Sequence, residues 1–304
     1  MSRVAWTGQP LTLANGAPAM TDSLPMPVTA LSSAQRTAIL NLVRRAARAE
    51  ILPRFRSLSE ADIAQKTGPQ DLVTEADTAA EAMIARGLSR MFPGALIVGE
   101  EAASTAPDLI GRIAEAETAF VIDPVDGTWN FARGLTTFGV MVGMVRFGQP
   151  AFGLLYDPVM DDVTWGGADL AAEMVRPRHA PRPLRASPGG PVDQLLGYVP
   201  LFNFEKDLQP AVAAVLPRFG RAWSLRCSCH ESRMFAQGNV DFVLSARLTP
   251  WDHAPGAAIA LEAGGHVAML DGSPYKAQQQ DGYLLMASDA ATWGRVRDVF
   301  DFLI

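Results

Sequence analysis

Between residues 123 and 131 the chain reads DPVDGTWNF, which sets two carboxylates, Asp123 and Asp126, on either side of a Pro-Val pair and follows them with Gly127 and Thr128. Pro124 fixes its own φ and Gly127 permits a left-handed backbone, so the spacing predicts a tight turn that aims both acids at one point. Carboxylates held that way repel unless a cation joins them. Hard ions such as Mg²⁺ take oxygen ligands, commonly one or two carboxylates with water and substrate phosphate completing the shell. The run reads either as a metal-phosphate site or as an ordinary Asp-Pro, Asp-Gly turn.

Further acids fall where elements begin or end: Asp77, the pair Glu100 and Glu101, and Asp252 in the run WDHAPG. Asp252 also suits a plain helix N-cap. The elements that must position these acids follow from periodicity. Helical spacing of Ile39, Leu42, Val43, Ala46 and Ala49 predicts an amphipathic helix over 34–57, capped by Ser32 or Ser33 and interrupted near Pro53. A second helix is predicted over 77–91, stopping before Pro93 and Gly94. Short apolar runs at 95–98 and 120–122 read as strands that deliver Glu100 and Asp123 at their carboxyl ends. Runs at 138–147, 151–156 and 163–165, separated by turn residues, predict an antiparallel meander. The proline-rich stretch 179–191 is the best candidate linker. Beyond it, strands near 196–199, 241–244, 267 and 284 alternate with helices near 208–216, 231–237, 252–263 and 290–303, which predicts an α/β half.

Composition limits the function. With 304 residues, a net charge of −6 and a pI near 5.3, the chain lacks a broad basic footprint, so nucleic acid is not an expected partner. No run of 18 apolar residues and no charged segment leading into an apolar one is present, so neither a membrane span nor a signal peptide is expected, and the cytoplasm is the expected compartment. Residues 1–30 read as a flexible leader. Cys227 and Cys229 stand too close for an unstrained disulfide. With His230 they offer three zinc ligands where a structural site needs four, so core or pocket packing is the expected role.

Taken together, DLVTEAD at 71–77, GEE at 99–101, DPVDGTWNF at 123–131 and PWDHAPG at 250–256 resemble, in string and in order, the inositol monophosphatase family of metal-dependent phosphatases. The resemblance covers roughly residues 34–304, and Lys66 precedes Asp71 as a lysine often does there. It implies an α+β fold, a layered α-β-α-β-α sandwich with an antiparallel-rich first half and an α/β second half. A domain of 31–185 would carry most metal ligands, and one of 186–304 would supply Asp252 and the pocket wall. It further implies two or three Mg²⁺ ions: Glu100, Asp123 and the Val125 carbonyl would hold one, while Asp123, Asp126 and Asp252 would hold a second. Asp77 and Thr128 would activate the attacking water, with Glu100 supporting a third ion. Phosphate would meet the backbone N–H groups of Gly127 and Thr128, with Asp126, Ser228 and Ser245 around the substrate. Glu101 and Lys66 would stand behind these groups. Lithium sensitivity and a homodimer are implied too.

Two departures bear on the substrate. Where many members carry a glutamate that grips inositol hydroxyls, this chain has Ser245, and four residues that typically read GSAA are here Arg226, Cys227, Ser228 and Cys229. A small phosphomonoester is the expected partner, with inositol monophosphate first. Histidinol phosphate, a 3′-phosphoadenosine nucleotide and fructose 1,6-bisphosphate are the enzyme alternatives, and a regulatory binding protein is the non-enzyme one. Arg226 or Arg247 would suit a second anionic group.

Overall fold

The computed structural model describes residues 30–58, 63–68 and 71–304, the side chains of 65–67 and 71 excepted. The leader expected over 1–30 lies, but for residue 30, outside the described residues, as does the side chain of Lys66. Helix α1 (Ser33–Ala46) starts on a reciprocal cap: Ser32 Oγ accepts the Gln35 N–H while the Gln35 side chain accepts the Ser32 N–H. It passes into a wider π turn over Ala47–Ile51 and stops there instead of running to residue 57, because Pro53 brings no N–H to continue the ladder. Strands β1 (Ile63–Gly68) and β2 (Asp71–Thr74) form a hairpin that leads into α2 (Glu75–Met91). Then follow β3 (Leu96–Gly99), α3 (Glu100–Thr105), α4 (Asp108–Arg112), β4 (Ala119–Asp126) and α5 (Thr128–Ala132). The meander comprises β5 (Gly139–Arg146), β6 (Gln149–Asp157), β7 (Asp162–Gly167) and β8 (Leu170–Val175), with β9 (Arg182–Pro183) on its edge. Strands β3 to β9 make one sheet in sequence order, parallel between β3 and β4 and antiparallel beyond.

After the proline-rich stretch come β10 (Leu196–Tyr198), α6 (Gln209–Val215), β11 (Arg221–Trp223), α7 (Ser228–Ala236), β12 (Phe242–Ser245) and α8 (Pro250–Glu262). Strands β13 (His266–Met269) and β14 (Leu284–Ala287) and helix α9 (Ala290–Val299) complete the chain. The second sheet runs β11-β10-β12-β14-β13. Strands β1, β2, β8, β9 and β11 are additions to the sequence expectation, and α7 starts at residue 228 instead of 231 because its first turn is closed by a carboxylate from another element, described below.

Strand periodicity sorts the side chains into layers. On β4, Phe120 and Ile122 pack with Ile39, Val43, Ile84 and Leu88 of α1 and α2, whereas Val121, pointing the other way, packs with Trp251, Ala254 and Ala257 of α8. On β12, Val243 joins Phe235 and Ala260 of α7 and α8, while Phe242 and Leu244 meet Val212, Trp293 and Val296 of α6 and α9. The result is the α-β-α-β-α sandwich. Its central helix layer lies very close to the first sheet: a Cβ on Gly153 of β6 would stand 2.0 Å from the Pro255 carbonyl oxygen of α8. Only glycine allows that approach, and it is what brings the start of α8 against the end of β4.

Candidate active site

The acids of DPVDGTWNF do not sit on a free turn, as the spacing predicts. They belong to β4, where Asp123 pairs with Met141 and Asp126 with Gly139, so that one extra residue is accommodated in a bulge between them. Pro124 has no N–H for the ladder, and a bulge is where a strand tolerates that. The turn comes one residue later, at Gly127, whose φ of 86° lies in the left-handed region and starts α5. A side chain there would press on the Thr137 carbonyl oxygen, 3.0 Å from the Cβ position.

Asp252, in the first turn of α8, completes the group. Among the described residues, Asp123, Asp126 and Asp252 each offer an oxygen within 4.8 Å of the others, and the first two are buried. Burial, followed by the charges of Glu100, Asp126 and Asp252, pushes the Asp123 carboxyl well above the usual range. Burial and the Asp252 charge likewise push Asp126 up to about 7, against the Cys227 thiol and the N–H groups of Cys229 and Ser228, which favour its anion. A cluster of hard oxygen donors this acidic and this desolvated fits a divalent cation in charge, size and ligand type. Glu100 opens α3 at the end of β3, the neighbour of β4, and so faces the cluster from its parallel side.

Beside the cluster stands a hydrogen-bonded pair, Thr128 and Asp77. Thr128 Oγ1 lies 3.1 Å from Asp77 Oδ1 and 2.9 Å from the Val125 carbonyl oxygen. Asp77 is buried at the start of α2, where its Oδ2 accepts the Thr74 N–H at 2.8 Å and the Thr74 hydroxyl at 2.6 Å. Its carboxyl is raised to about 6, chiefly by burial, with the Glu101 charge adding to it and the Thr74 and Thr128 donors opposing. Val125 is held in turn by its N–H, 3.0 Å from Asp123 Oδ1.

Helix α7 meets the cluster from the second half of the chain. Asp126 Oδ2 accepts the Cys229 N–H and the Cys227 thiol, the latter at 2.9 Å. Cys227 is thus buried against the acids with its S–H used, which goes beyond packing. Ser228 approaches Asp126 through its backbone N–H. Ser245 is buried at the end of β12, before the loop into α8. His230 and His253 bond to the carbonyl oxygens of Phe138 and Thr249 and hold local structure.

Three supporting residues escape a reading of motifs. Glu81 accepts the N–H groups of Glu101 at 2.7 Å and Ala102 at 2.9 Å, closing the first turn of α3. It stands one helical turn after Asp77, so the i, i+4 pair of acids on α2 was its available signal. Asn130, inside the DPVDGTWNF run, donates to the carbonyl oxygens of Thr137 at 2.8 Å and Leu225 at 2.9 Å and ties α5 to the loop before α7. Glu231 accepts the Leu225 N–H and the Ser224 hydroxyl from the other side of that loop, and burial raises it to about 7.

Comparison with known proteins gives the same answer as the geometry. The model of the inositol monophosphatase family matches residues 32–296. An inositol-1-monophosphatase of Bacillus subtilis is 28% identical over 213 residues, 70% of this chain and 78% of the relative. A histidinol-phosphatase of Streptomyces coelicolor is 30% identical over 244 residues, 78% of this chain and 87% of the relative. The solved Thermotoga maritima IMPase superposes with a TM-score of 0.69 at 23% identity, covering 87% of this chain and 97% of its own, and shares the fold. Sandwich, acidic cluster and family match agree: the chain belongs to the inositol monophosphatase family, whose members hydrolyse phosphomonoesters.

Proposed function

We propose that this protein hydrolyses a small phosphomonoester using divalent cations, Mg²⁺ first among them, held by Glu100, Asp123, the Val125 carbonyl, Asp126 and Asp252. The observation that carries this reading is the gathering of three aspartates from β4 and α8 beside the hydrogen-bonded pair Thr128 and Asp77. In this division of labour, residues 31–185 supply most ligands, and 186–304 supply Asp252 and the pocket wall. Bound cations make water more acidic and neutralise charge on the phosphoryl oxygens.

The chain's own residues then handle position and protons. Thr128 has one hydroxyl proton and two acceptors within reach, Asp77 Oδ1 and the Val125 carbonyl. When the proton points to Asp77, the Thr128 oxygen is left to accept one from an attacking water, and Asp77 takes the excess proton. Its other oxygen is already committed to Thr74, which fixes the direction of transfer. A carboxyl near 6 is suited to a base at neutral pH. Gly127 and Thr128 are assigned the phosphate through their N–H groups, with Ser228 and Ser245 nearer the leaving group. Glu101 supports Asp77 electrostatically.

Inositol monophosphate is the first substrate to test, followed by histidinol phosphate, a 3′-phosphoadenosine nucleotide and fructose 1,6-bisphosphate. The protein should release inorganic phosphate from one of these in Mg²⁺ and not in EDTA, and Li⁺ should inhibit. Failure to release phosphate from any ester in Mg²⁺ would sink the proposal. A cytoplasmic homodimer is the proposed working form, and size-exclusion chromatography with light scattering tests the second half of that statement. No helix among the described residues is long and apolar enough to cross a membrane.

A further inference from the structure

The pattern Thr-x-x-Asp opens both α2 and α8, and the two openings are closed differently. At the start of α2 the cap is reciprocal, with Asp77 Oδ2 accepting the Thr74 N–H at 2.8 Å and the Thr74 hydroxyl at 2.6 Å. At the start of α8, Thr249 is the N-cap with an extended backbone, and Asp252 stands three residues on. An acid at that position is placed to reach back to the cap N–H. Asp252 does not do so. It lies with Asp123 and Asp126, and the place beside the Thr249 backbone is taken by buried His253, whose Nδ1 stands 3.2 Å from the Thr249 nitrogen and 2.9 Å from its carbonyl oxygen. In one tautomer Nδ1 accepts the Thr249 N–H, and in the other it donates its own proton to the carbonyl. In both, the ring fills the position that Asp77 fills on α2.

The Thr249 hydroxyl records the difference. Its counterpart on Thr74 donates to Asp77, whereas Thr249 Oγ1 is buried with no hydrogen-bond partner among the described residues. A buried hydroxyl left unpaired costs free energy, and such a group in a native fold calls for a compensating gain. Tyr275, packed with Leu248, Trp251 and Ala254 around the same turn, leaves its buried hydroxyl unpaired as well, so it does not hold Asp252 either. Were Asp252 to turn back to the cap, as Asp77 does, it would satisfy the Thr249 N–H and hydroxyl together and leave Asp123 and Asp126 without their third carboxylate. The gain that offsets the unpaired hydroxyl is therefore a carboxylate kept for the cluster, and the group that stands in the way of the capped arrangement is the His253 ring.

We propose that His253 is a positioning residue: by occupying the Thr249 cap in place of Asp252, it keeps the Asp252 carboxylate turned toward Asp123 and Asp126 for a cation. This rests on the metal-dependent reading above. Binding of Mg²⁺ and Mn²⁺ to the metal-free protein is measured by calorimetry, and the same variants are crystallised without metal. His253→Ala should weaken cation binding by ~10- to 100-fold, the usual effect of removing a group that orients a metal ligand, and its Asp252 should be found on the Thr249 N–H. His253→Asn, whose amide can stand where Nδ1 stands, should bind cations as the wild type does, a rescue that a role in packing alone would not give. His253→Gln keeps the bulk but carries its amide one methylene further, so it should bind as weakly as H253A, and it decides the matter if the alanine variant does not fold. Wild-type cation binding in H253A or H253Q, binding in H253N no better than in H253A, or an Asp252 that stays with Asp123 in the metal-free variant overturns the assignment. The two readings fail separately. If the wild-type protein hydrolyses no ester while Asp252 moves to Thr249 in H253A or H253Q, the phosphatase reading alone is refuted.

Discussion

At the scale of single residues, the site depends on how each carboxylate is paired. Asp126 faces two ways, toward the acids and toward the start of α7, where it accepts the Cys229 N–H and the Cys227 thiol. In Asp126→Asn, an amide that keeps the volume loses the charge. Phosphate release should drop to background, and stabilisation by Mg²⁺ in a thermal melt should vanish while circular dichroism stays native. Near wild-type turnover would contradict the assignment. Asp77 gives a pH signature. Its carboxyl is raised to about 6 and accepts a proton only when ionised, so kcat should rise with pH through that value and level off above it. Thr128→Ala should lower kcat by ~100-fold or more, the usual worth of a positioned proton carrier, with a smaller effect on KM.

At the scale of elements, Glu81 shows how one helix aims another. Its two oxygens close the first turn of α3, and Gly99 makes room for them, because a Cβ there would lie 2.2 Å from Glu81 Cδ. Glu81→Ala and Gly99→Ala should therefore share a phenotype, a rise of about tenfold in the Mg²⁺ needed for half-maximal activity, as Glu100 loses its fixed approach. A Mg²⁺ requirement that stays at the wild-type level in both would show that α3 holds its place without them. The helices themselves were legible: Ser32 and Gln35 announce α1, and the Ile39, Leu42, Val43, Ala46 spacing announces its buried face. The bulge in β4 was not, because Pro124 is equally at home in a turn, and only the register with Met141 and Gly139 distinguishes the two.

At the scale of the whole molecule, the two sheets are joined through a helix layer pressed onto glycine. Gly153→Ala should destabilise the protein by about 1–3 kcal/mol, the cost of overpacking, read as a lower melting temperature. The buried acids add a pH dependence whose sign is set by their raised values. Asp77 near 6 and Asp126 and Glu231 near 7 bind protons more tightly folded than unfolded. Their contribution to the metal-free fold is complete at low pH and is lost as pH climbs through that window. In EDTA the melting temperature should fall by several degrees from about pH 5.5 to about pH 8, and Mg²⁺ should restore it at the higher pH. A metal-free melt that is flat or rises over that range would count against a desolvated, cation-binding cluster.

The sequence by itself determined the acids, their order along the chain and most of the helices and strands, because motif strings and periodicity are local properties written in consecutive residues, and the layering followed from the family resemblance that those strings carry. It left open what Cys227 does, how α3 is aimed and what Trp129 stacks on. Those depend on Asp126, Glu81 and Arg226, residues of other elements brought near by packing. Only the tertiary structure decided them. A hydrogen bond or a stacked cation needs an approach of a few ångströms between groups whose separation in sequence carries no trace of it, and here that approach is set by glycines that let the layers close.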